Sequence, residues 1–143
     1  MKSNNKISIF GAGSWGTALA LHLSKKFKEV SLWVYENDLY EIIQKERENK
    51  WFLSGFKIPK NIVPDNSLAS VVNNKSIILI AVPTPALRNI VRKINTYIKP
   101  DTLIVNASKG IENEDIHIAS LKNQPVRPKR TDFVLSKNFY CVS

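Results

Sequence analysis

The feature that most restricts the fold is a glycine-rich run, GAGSWG, from Gly11 to Gly16, which lies between an apolar segment and a helical pattern. The apolar segment Lys6 to Phe10 (KISIF) predicts a strand that ends at the first glycine. From Trp15 to Phe27, apolar residues recur at helical spacing. A strand that passes into a helix through so short a turn is typical of the first unit of a parallel α/β sheet.

Three later segments have the composition of buried strands. They are Val30 to Tyr35 (VSLWVY), Ser76 to Val82 (SIILIAV) and Thr102 to Asn106 (TLIVN). The second is the most apolar, which predicts a central strand buried on both faces. Asp132 to Leu135 is a candidate for one last strand.

Helical patterns and turn signals separate these strands. Asp38 with Glu41 predicts a capping box at the start of a second helix. Ser67 to Val72 predicts one or two helical turns, and Trp51 to Asn66, with a glycine and two prolines, predicts a loop. Pro83 and Pro85 stop the central strand and can open a helix. The buried face of that helix is predicted to carry Leu87, Ile90, Val91, Ile94, Tyr97 and Ile98.

Alternation of such strands and helices predicts an α/β fold, a Rossmann-type doubly wound parallel sheet. We assign residues 1–122 to this domain and residues 123–143 to a basic linker or tail that contains the candidate last strand.

Charge and composition bound the function. The net charge is +9, and from Lys122 onward five basic residues face one acid. No aromatic residues are interleaved with them, so we expect a solvated tail and no nucleic-acid partner. The longest apolar stretch, Ile77 to Pro83, is too short for a membrane span. With a single cysteine and two scattered histidines we expect no disulfide and no metal site, in a soluble cytoplasmic protein.

The glycine run carries the main chemical signal. Gly11 would permit the tight turn, Gly13 would let a pyrophosphate approach the backbone, and Gly16 would let the helix pack close to the strand. The helix N-terminus adds free N–H groups and a positive dipole end. These offsets at one strand–helix junction predict a dinucleotide site.

Glu36 completes the pattern. It lies twenty residues after Gly16 and directly follows the second predicted strand. A carboxylate there can accept hydrogen bonds from the adenosine ribose and repels a 2′-phosphate. The cofactor expected is therefore NAD, with NADP as the alternative. An acid near a helix N-terminus is also favoured by the helix dipole, so Glu36 alone discriminates poorly.

Several motifs together resemble the NAD(P)-dependent glycerol-3-phosphate dehydrogenase family. They occur in the order and at the spacing of that family, between about residue 6 and residue 114, and are GAGSWGTALA, LWVYEND, WFLSGFKIPKNI, IAVPTPALR and NASKGIE. GAGSWGTALA together with SKGIE is fairly specific, whereas either alone indicates only a Rossmann-type dehydrogenase.

The resemblance implies reversible reduction of dihydroxyacetone phosphate to sn-glycerol 3-phosphate with NADH or NADPH, a step that feeds phospholipid synthesis. Lys109 of SKGIE would contact the substrate and the nicotinamide, which makes it the catalytic candidate. The implied cofactor-binding residues are Gly11, Ala12, Gly13, Ser14, Trp15, Gly16, Tyr35, Glu36, Pro83 and Lys109. A small phosphorylated substrate is the expected partner, with no membrane, and a homodimer is kept open as the oligomeric state.

The sequence departs from the family pattern at three places. Tyr35 stands where many bacterial members have arginine, which favours NAD, and LSG replaces an expected LPG. Residues 134–143 (VLSKNFYCVS) lack the family's glycine–proline motif. The helical substrate domain, with its second lysine and phosphate-binding arginine, would follow there, so we expect little activity from this chain alone.

Two alternatives stay open at this point. The fold alone does not exclude another reductase with the same nucleotide fold, acting on a 2- or 3-hydroxyacid or on ketopantoate, and SKGIE is the feature that argues against it. A non-catalytic NAD-binding remnant would also carry the glycine run.

Overall fold

The structure is a computed structural model that describes residues 5–108 and, for the backbone, residues 139–141. The strands are β1 (Lys6–Phe10), β2 (Glu29–Trp33), β3 (Glu48–Asn49), β4 (Leu53–Lys57), β5 (Ile62–Asp65), β6 (Ile77–Ile80), β7 (Leu103–Asn106) and β8 (Phe139–Cys141). The helices are α1 (Ser14–Leu23), α2 (Asn37–Glu46), α3 (Leu68–Val72) and α4 (Thr84–Asn95).

Six strands form one parallel sheet in the order β5-β2-β1-β6-β7-β8, and β3 and β4 form a separate antiparallel hairpin. In the main sheet Ile7 of β1 pairs with Val30 of β2 on one side and with Ile77 of β6 on the other. The chain thus leaves β1 in one direction and later returns to its other side. Doubly wound sheets bind ligands at this kind of reversal, outside the carboxyl ends of the strands.

Side chains alternate along each strand, so the apolar strands present buried side chains to both faces of the sheet. Helices cover both faces. Ile7 and Ile9 of β1 belong to a core cluster that includes Leu39 and Ile43 of α2. Phe10 belongs to the opposite cluster, which includes the buried residues of α3 and α4. The buried residues of α4 are Leu87, Ile90, Val91 and Ile94.

These elements confirm most of the expected pattern. The predicted α/β doubly wound sheet is present, and β6 lies between β1 and β7 with Ile78, Leu79 and Ile80 buried. The short helix after Ser67 is α3, and the Ser67 hydroxyl accepts a hydrogen bond from the Ser70 N–H. Pro83 is the N-cap residue of α4.

The loop predicted for Trp51 to Asn66 is wrong, because this range contains β4 and β5. β5 is the edge strand of the main sheet, where a proline such as Pro64 is tolerated since its missing N–H breaks no ladder on the open side. Arg47 stabilises the connection from the hairpin to β5: its guanidinium donates to the carbonyls of Ile58, Pro59 and Ile62.

Three predicted helix boundaries are also wrong. α4 ends at Asn95, so Tyr97 and Ile98 lie beyond the helix whose buried face they were predicted to share, and Tyr97 is 50% exposed. The capping box at Asp38 is not formed, because α2 begins at Asn37 with Glu36 as its N-cap residue and no side-chain cap bond. The helix expected to reach Phe27 ends at Leu23. Phe27 still packs against the core cluster, which explains why its position fits the apolar pattern.

The candidate last strand at residues 132–135 lies outside the described residues. β8 pairs in parallel with β7, with Val105 opposite Tyr140. No helix in the described part of the chain is long and apolar enough to cross a bilayer.

Candidate functional site

A cavity of about 500 Å³ lies at the carboxyl ends of β1, β2 and β6. It is where the sheet order reverses, with the glycine run on one side and the start of α4 on the other. Its lining residues are Gly11, Ala12, Gly13, Ser14, Trp15, Gly16, Trp33, Tyr35, Glu36, Phe52, Leu68, Ala81, Val82, Pro83, Ala86, Asn89, Ile90 and Lys93. Nine of the ten residues expected to bind the cofactor are among them.

Two glycines of the run are required by backbone packing. Gly11 has φ +112°, and a Cβ there would lie 2.4 Å from the carbonyl oxygen of Ala81. A Cβ on Gly16 would lie 1.9 Å from the carbonyl oxygen of Gly11. Both distances are far below van der Waals contact, so the turn between β1 and α1 closes only around glycine at these positions.

Gly13 has a different environment. A Cβ there would meet no atom within 4 Å, and its backbone, with φ −69° and ψ −175°, is open to any residue type. Packing therefore does not explain this glycine. Open space beside the backbone at a cavity wall is what a ligand that approaches the main chain requires.

The N-terminus of α1 faces this space without a competing group. Gly13 is the N-cap residue, no side chain caps the helix, and the first turn has no acidic residue. The first bond of the helix runs from the Thr17 N–H to the Gly13 carbonyl at 3.0 Å. The N–H groups before it have no carbonyl within the helix, so the helix start can bind an anion.

Trp15 connects the glycine run to β7. Its indole Nε1 donates to the Ala107 carbonyl at 2.8 Å, and 40% of the residue stays exposed at the cavity. This contact fixes the exit of β7 against the start of α1. Ser108 follows, and its N–H donates to Asn106 Oδ1 at 3.0 Å. Lys109 itself lies outside the described residues.

Glu36 and Tyr35 stand at the carboxyl end of β2. Glu36 is partly exposed, and its backbone carbonyl accepts the Tyr40 N–H at 2.9 Å. Tyr35 is 73% exposed, with its ring centroid 5.8 Å from that of Trp33. Tyr35 and Glu36 therefore line the cavity from the end of β2, the strand that pairs with β1 and so lies beside the glycine run.

The apolar side of the cavity was not predicted from the sequence. This side includes Trp33, Leu68, Ala86 and Ile90, and Trp33 Nε1 is the buried side-chain donor without a partner among the described residues. Helical spacing identified Ile90 as core, but periodicity cannot show that a core face also borders a cavity. Asn89 and Lys93 add polar groups from α4.

No group of three histidine, cysteine, aspartate or glutamate side chains in residues 5–108 could hold a metal ion. The site is thus a glycine turn, a helix N-terminus, an acid and an apolar slot around one cavity.

Comparison with known proteins identifies this arrangement. The family model described as the NAD-dependent glycerol-3-phosphate dehydrogenase N-terminus matches residues 6–127. A glycerol-3-phosphate dehydrogenase (NAD(P)+) from Syntrophobacter fumaroxidans is 40% identical over 116 residues, which cover 81% of this chain and 34% of that protein.

Solved structures agree. The crystal structure of glycerol-3-phosphate dehydrogenase from Coxiella burnetii has a TM-score of 0.72 and 35% identity, covering 76% of this chain and 33% of that one. The enzyme from Saccharomyces cerevisiae has a TM-score of 0.66 and 27% identity, covering 75% and 34%. The chain thus spans about a third of the length of the relatives that it matches.

The family match decides against the first alternative, another reductase with the same nucleotide fold, and agrees with NAD, or NADP, as the cofactor. The chain belongs to the N-terminal domain family of the NAD-dependent glycerol-3-phosphate dehydrogenases, which are oxidoreductases.

Proposed function

We propose that this chain binds NAD(H) in the cavity beside the glycine run, as the cofactor half of a glycerol-3-phosphate dehydrogenase. The observation that carries this proposal is Gly13: a glycine that packing does not require stands at the N-terminus of α1, on the wall of a 500 Å³ cavity. A pyrophosphate that approaches the backbone supplies the missing reason for it.

Each wall of the cavity suits one part of the dinucleotide. The N-terminus of α1, from Gly13 to Trp15, would hold the pyrophosphate through backbone N–H groups. Glu36 would accept hydrogen bonds from the adenosine ribose, and the exposed ring of Tyr35 offers a flat surface beside it. A carboxylate at this place disfavours a 2′-phosphate, so we propose NAD over NADP.

The reaction proposed for the whole enzyme is reversible reduction of dihydroxyacetone phosphate to sn-glycerol 3-phosphate. When bound, NADH supplies the hydride for the ketone carbon. Lys109 follows the carboxyl end of β7, the edge of the sheet on which the cavity lies, and its ammonium would hold the substrate phosphate or polarise the carbonyl. We place the enzyme in the cytoplasm, supplying phospholipid synthesis, and propose a homodimer.

The test is a calorimetric titration of the purified chain with NADH and NADPH, repeated with Gly13→Ala. An alanine methyl fits the fold at Gly13, since nothing lies within 4 Å of it, but it occupies the space proposed for the pyrophosphate. We expect saturable binding that is tighter for NADH, and a loss of about 100-fold or more in Gly13→Ala because the phosphates can no longer reach the helix N–H groups.

A thermal melt of both proteins is the control. We expect them to melt within a few degrees of each other, because the weaker N-cap preference of alanine is offset by the smaller entropy of its unfolded chain. Equal NADH affinity of the two proteins would contradict a pyrophosphate at Gly13, and absence of binding by the cooperatively melting wild type would contradict the whole proposal.

A further inference from the structure

Asn49 is a polar residue with no exposed surface, buried between the β3–β4 hairpin and the glycine run. Its Nδ2 donates to the Ala12 carbonyl at 2.7 Å and to Thr17 Oγ1 at 2.8 Å, and its Oδ1 accepts the Phe52 N–H at 3.1 Å. From these contacts we infer that Asn49 is a positioning residue, which holds the glycine run in the shape that binds the cofactor. This inference rests on the proposed binding of NAD(H).

The chemistry of the contacts fixes the orientation of the amide. The Ala12 carbonyl can only accept a hydrogen bond, so the NH₂ group of Asn49 must face it, and the oxygen then faces the Phe52 N–H. All three contacts are met at once only by a side chain that has two donors and an acceptor on one planar group. An aspartate or a leucine of similar size would leave buried partners unsatisfied.

The two N–H donors of Asn49 bond near the beginning and just after the end of the glycine run. Ala12 is its second residue, and Thr17, buried in the first turn of α1, directly follows Gly16. Between them lie Gly13, Ser14 and Trp15, which form the proposed pyrophosphate site. Asn49 is 37 residues away from Ala12 in sequence, and its side chain bonds to the residues on either side of this site.

The run has little means of holding this shape by itself. Glycine has the least restricted backbone of all residues, and α1 has no side-chain cap that would fix its first turn. A cross-link from another element removes freedom that a bound ligand would otherwise have to remove. Such preorganisation raises affinity without any contact between Asn49 and the ligand.

The experiment compares Asn49→Ala with Asn61→Ala in the full chain. Asn61 makes a similar pair of side-chain bonds, to the carbonyls of Ser24 at 2.7 Å and Phe27 at 3.1 Å. It precedes β5, at the edge of the sheet opposite the cavity. It is therefore a matched control for loss of an amide cross-link. NADH affinity is measured by calorimetry at a temperature below both melting transitions.

We expect Asn49→Ala to weaken NADH binding about tenfold, the effect of one or two buried hydrogen bonds, and Asn61→Ala to keep the wild-type dissociation constant. Equal affinities in all three proteins, or equal weakening in the two variants, would overturn the inference. If Asn49→Ala does not fold, Thr17→Val replaces it, because valine has a methyl group in place of the hydroxyl and so takes away one of the two acceptors of Asn49 Nδ2. Thr17→Ser, which keeps the hydroxyl, should bind NADH as the wild type does.

Amide hydrogen exchange at Thr17, whose N–H is bonded to the Gly13 carbonyl, and at the residues of α1 that follow it gives a second readout that needs no ligand. We expect faster exchange there in Asn49→Ala than in the wild type, and no change in Asn61→Ala. If wild type fails to bind NADH, the proposed function is wrong, and exchange still decides whether Asn49 holds the run. Unchanged exchange in Asn49→Ala would overturn the inference even if NADH binds.

Discussion

Three glycines in one turn have three different physical reasons. Gly11 has a positive φ, and Gly16 lies so close to the Gly11 carbonyl that it leaves no room for a Cβ. Neither restriction applies to Gly13. A sequence pattern treats the three as equivalent, whereas the surroundings of each Cβ position separate a requirement of folding from a requirement of binding. This difference can be tested by substituting alanine at Gly16 and at Gly13.

We expect Gly16→Ala to destabilise the fold, because its Cβ would lie 1.9 Å from a backbone oxygen that has no freedom to move aside. Overpacking of this kind costs about 1–3 kcal/mol or more in the free energy of unfolding. Urea unfolding followed by circular dichroism measures it. Gly13→Ala is the matched control and should unfold at the wild-type midpoint; a similar midpoint for both variants would disprove the distinction.

The sequence predicted nine lining residues of the cavity, because each belongs to a short local motif or to the position after a strand. It did not find Asn49 or Trp33. Asn49 lies between the second predicted helix and the loop predicted from Trp51 onward, and its partners at Ala12 and Thr17 are more than thirty residues away. Nothing in the local sequence marks such an asparagine.

At the scale of elements, ion pairs join the amino ends of three strands. Glu29, the first residue of β2, pairs with Lys6 of β1 at 2.8 Å and with Lys75, just before β6, at 2.8 Å. Lys75 is 9% exposed. Hydrogen bonds from Lys6 and then Lys75 lower the pKa of the Glu29 carboxyl below its ordinary value of 4.5.

The lowered pKa of Glu29 predicts a contribution to stability on the acid side. The contribution is complete above the unfolded pKa, near 4.5, and is lost as pH falls through the lower folded pKa, because the unfolded chain binds the proton first. We expect Glu29→Gln to lower the melting temperature at pH 7 and to flatten its dependence on pH below about 5. Thermal melts at a series of pH values from about 3 to about 7 measure both effects.

Glu41→Gln is the control for this prediction. Glu41 pairs with Lys45 at 3.8 Å on the exposed side of α2, where ion pairs contribute little. We expect it to keep the wild-type profile. A profile for Glu29→Gln that runs parallel to the wild type down to pH 3, about 1.5 units below the usual carboxyl pKa, would show that the bridge adds no pH-dependent stability.

Element boundaries followed from sequence only where the signal was local. Ser67 caps α3 through its own hydroxyl, and Pro83 is the N-cap residue of α4, as their residue types indicate. β4 and β5 were missed because a glycine and two prolines predict loops in most contexts. Pairing with β2 and an edge position make β5 a strand in spite of Pro64.

At the scale of the whole molecule, a ligand that binds only the folded chain raises its stability by mass action. At an NADH concentration 100 times the dissociation constant, the gain is about 2.7 kcal/mol. For a chain of this size that corresponds to a rise in melting temperature of about 10 °C. Differential scanning fluorimetry with increasing NADH measures it.

The same titration on Gly13→Ala separates binding at the cavity from unspecific effects of the nucleotide on a chain of net charge +9. We expect a rise of at most about 2 °C in the variant, because a 100-fold loss of affinity leaves a gain of only about 0.4 kcal/mol at the same NADH concentration. Equal rises in both proteins would point to charge-driven association elsewhere on the surface and would count against the cavity as the NADH site.

The fold class, the glycine turn and the family could be predicted from the sequence, because strand composition, helical spacing and motif order are local properties of the chain. Three findings came from the folded structure: Gly13 is the glycine free of packing, β5 is a strand, and Asn49 of the hairpin bonds to the glycine turn. These depend on distances between residues far apart in sequence. Such distances are set only when the chain folds, which brings the carboxyl ends of β1, β2 and β6 together and packs the hairpin against the glycine run.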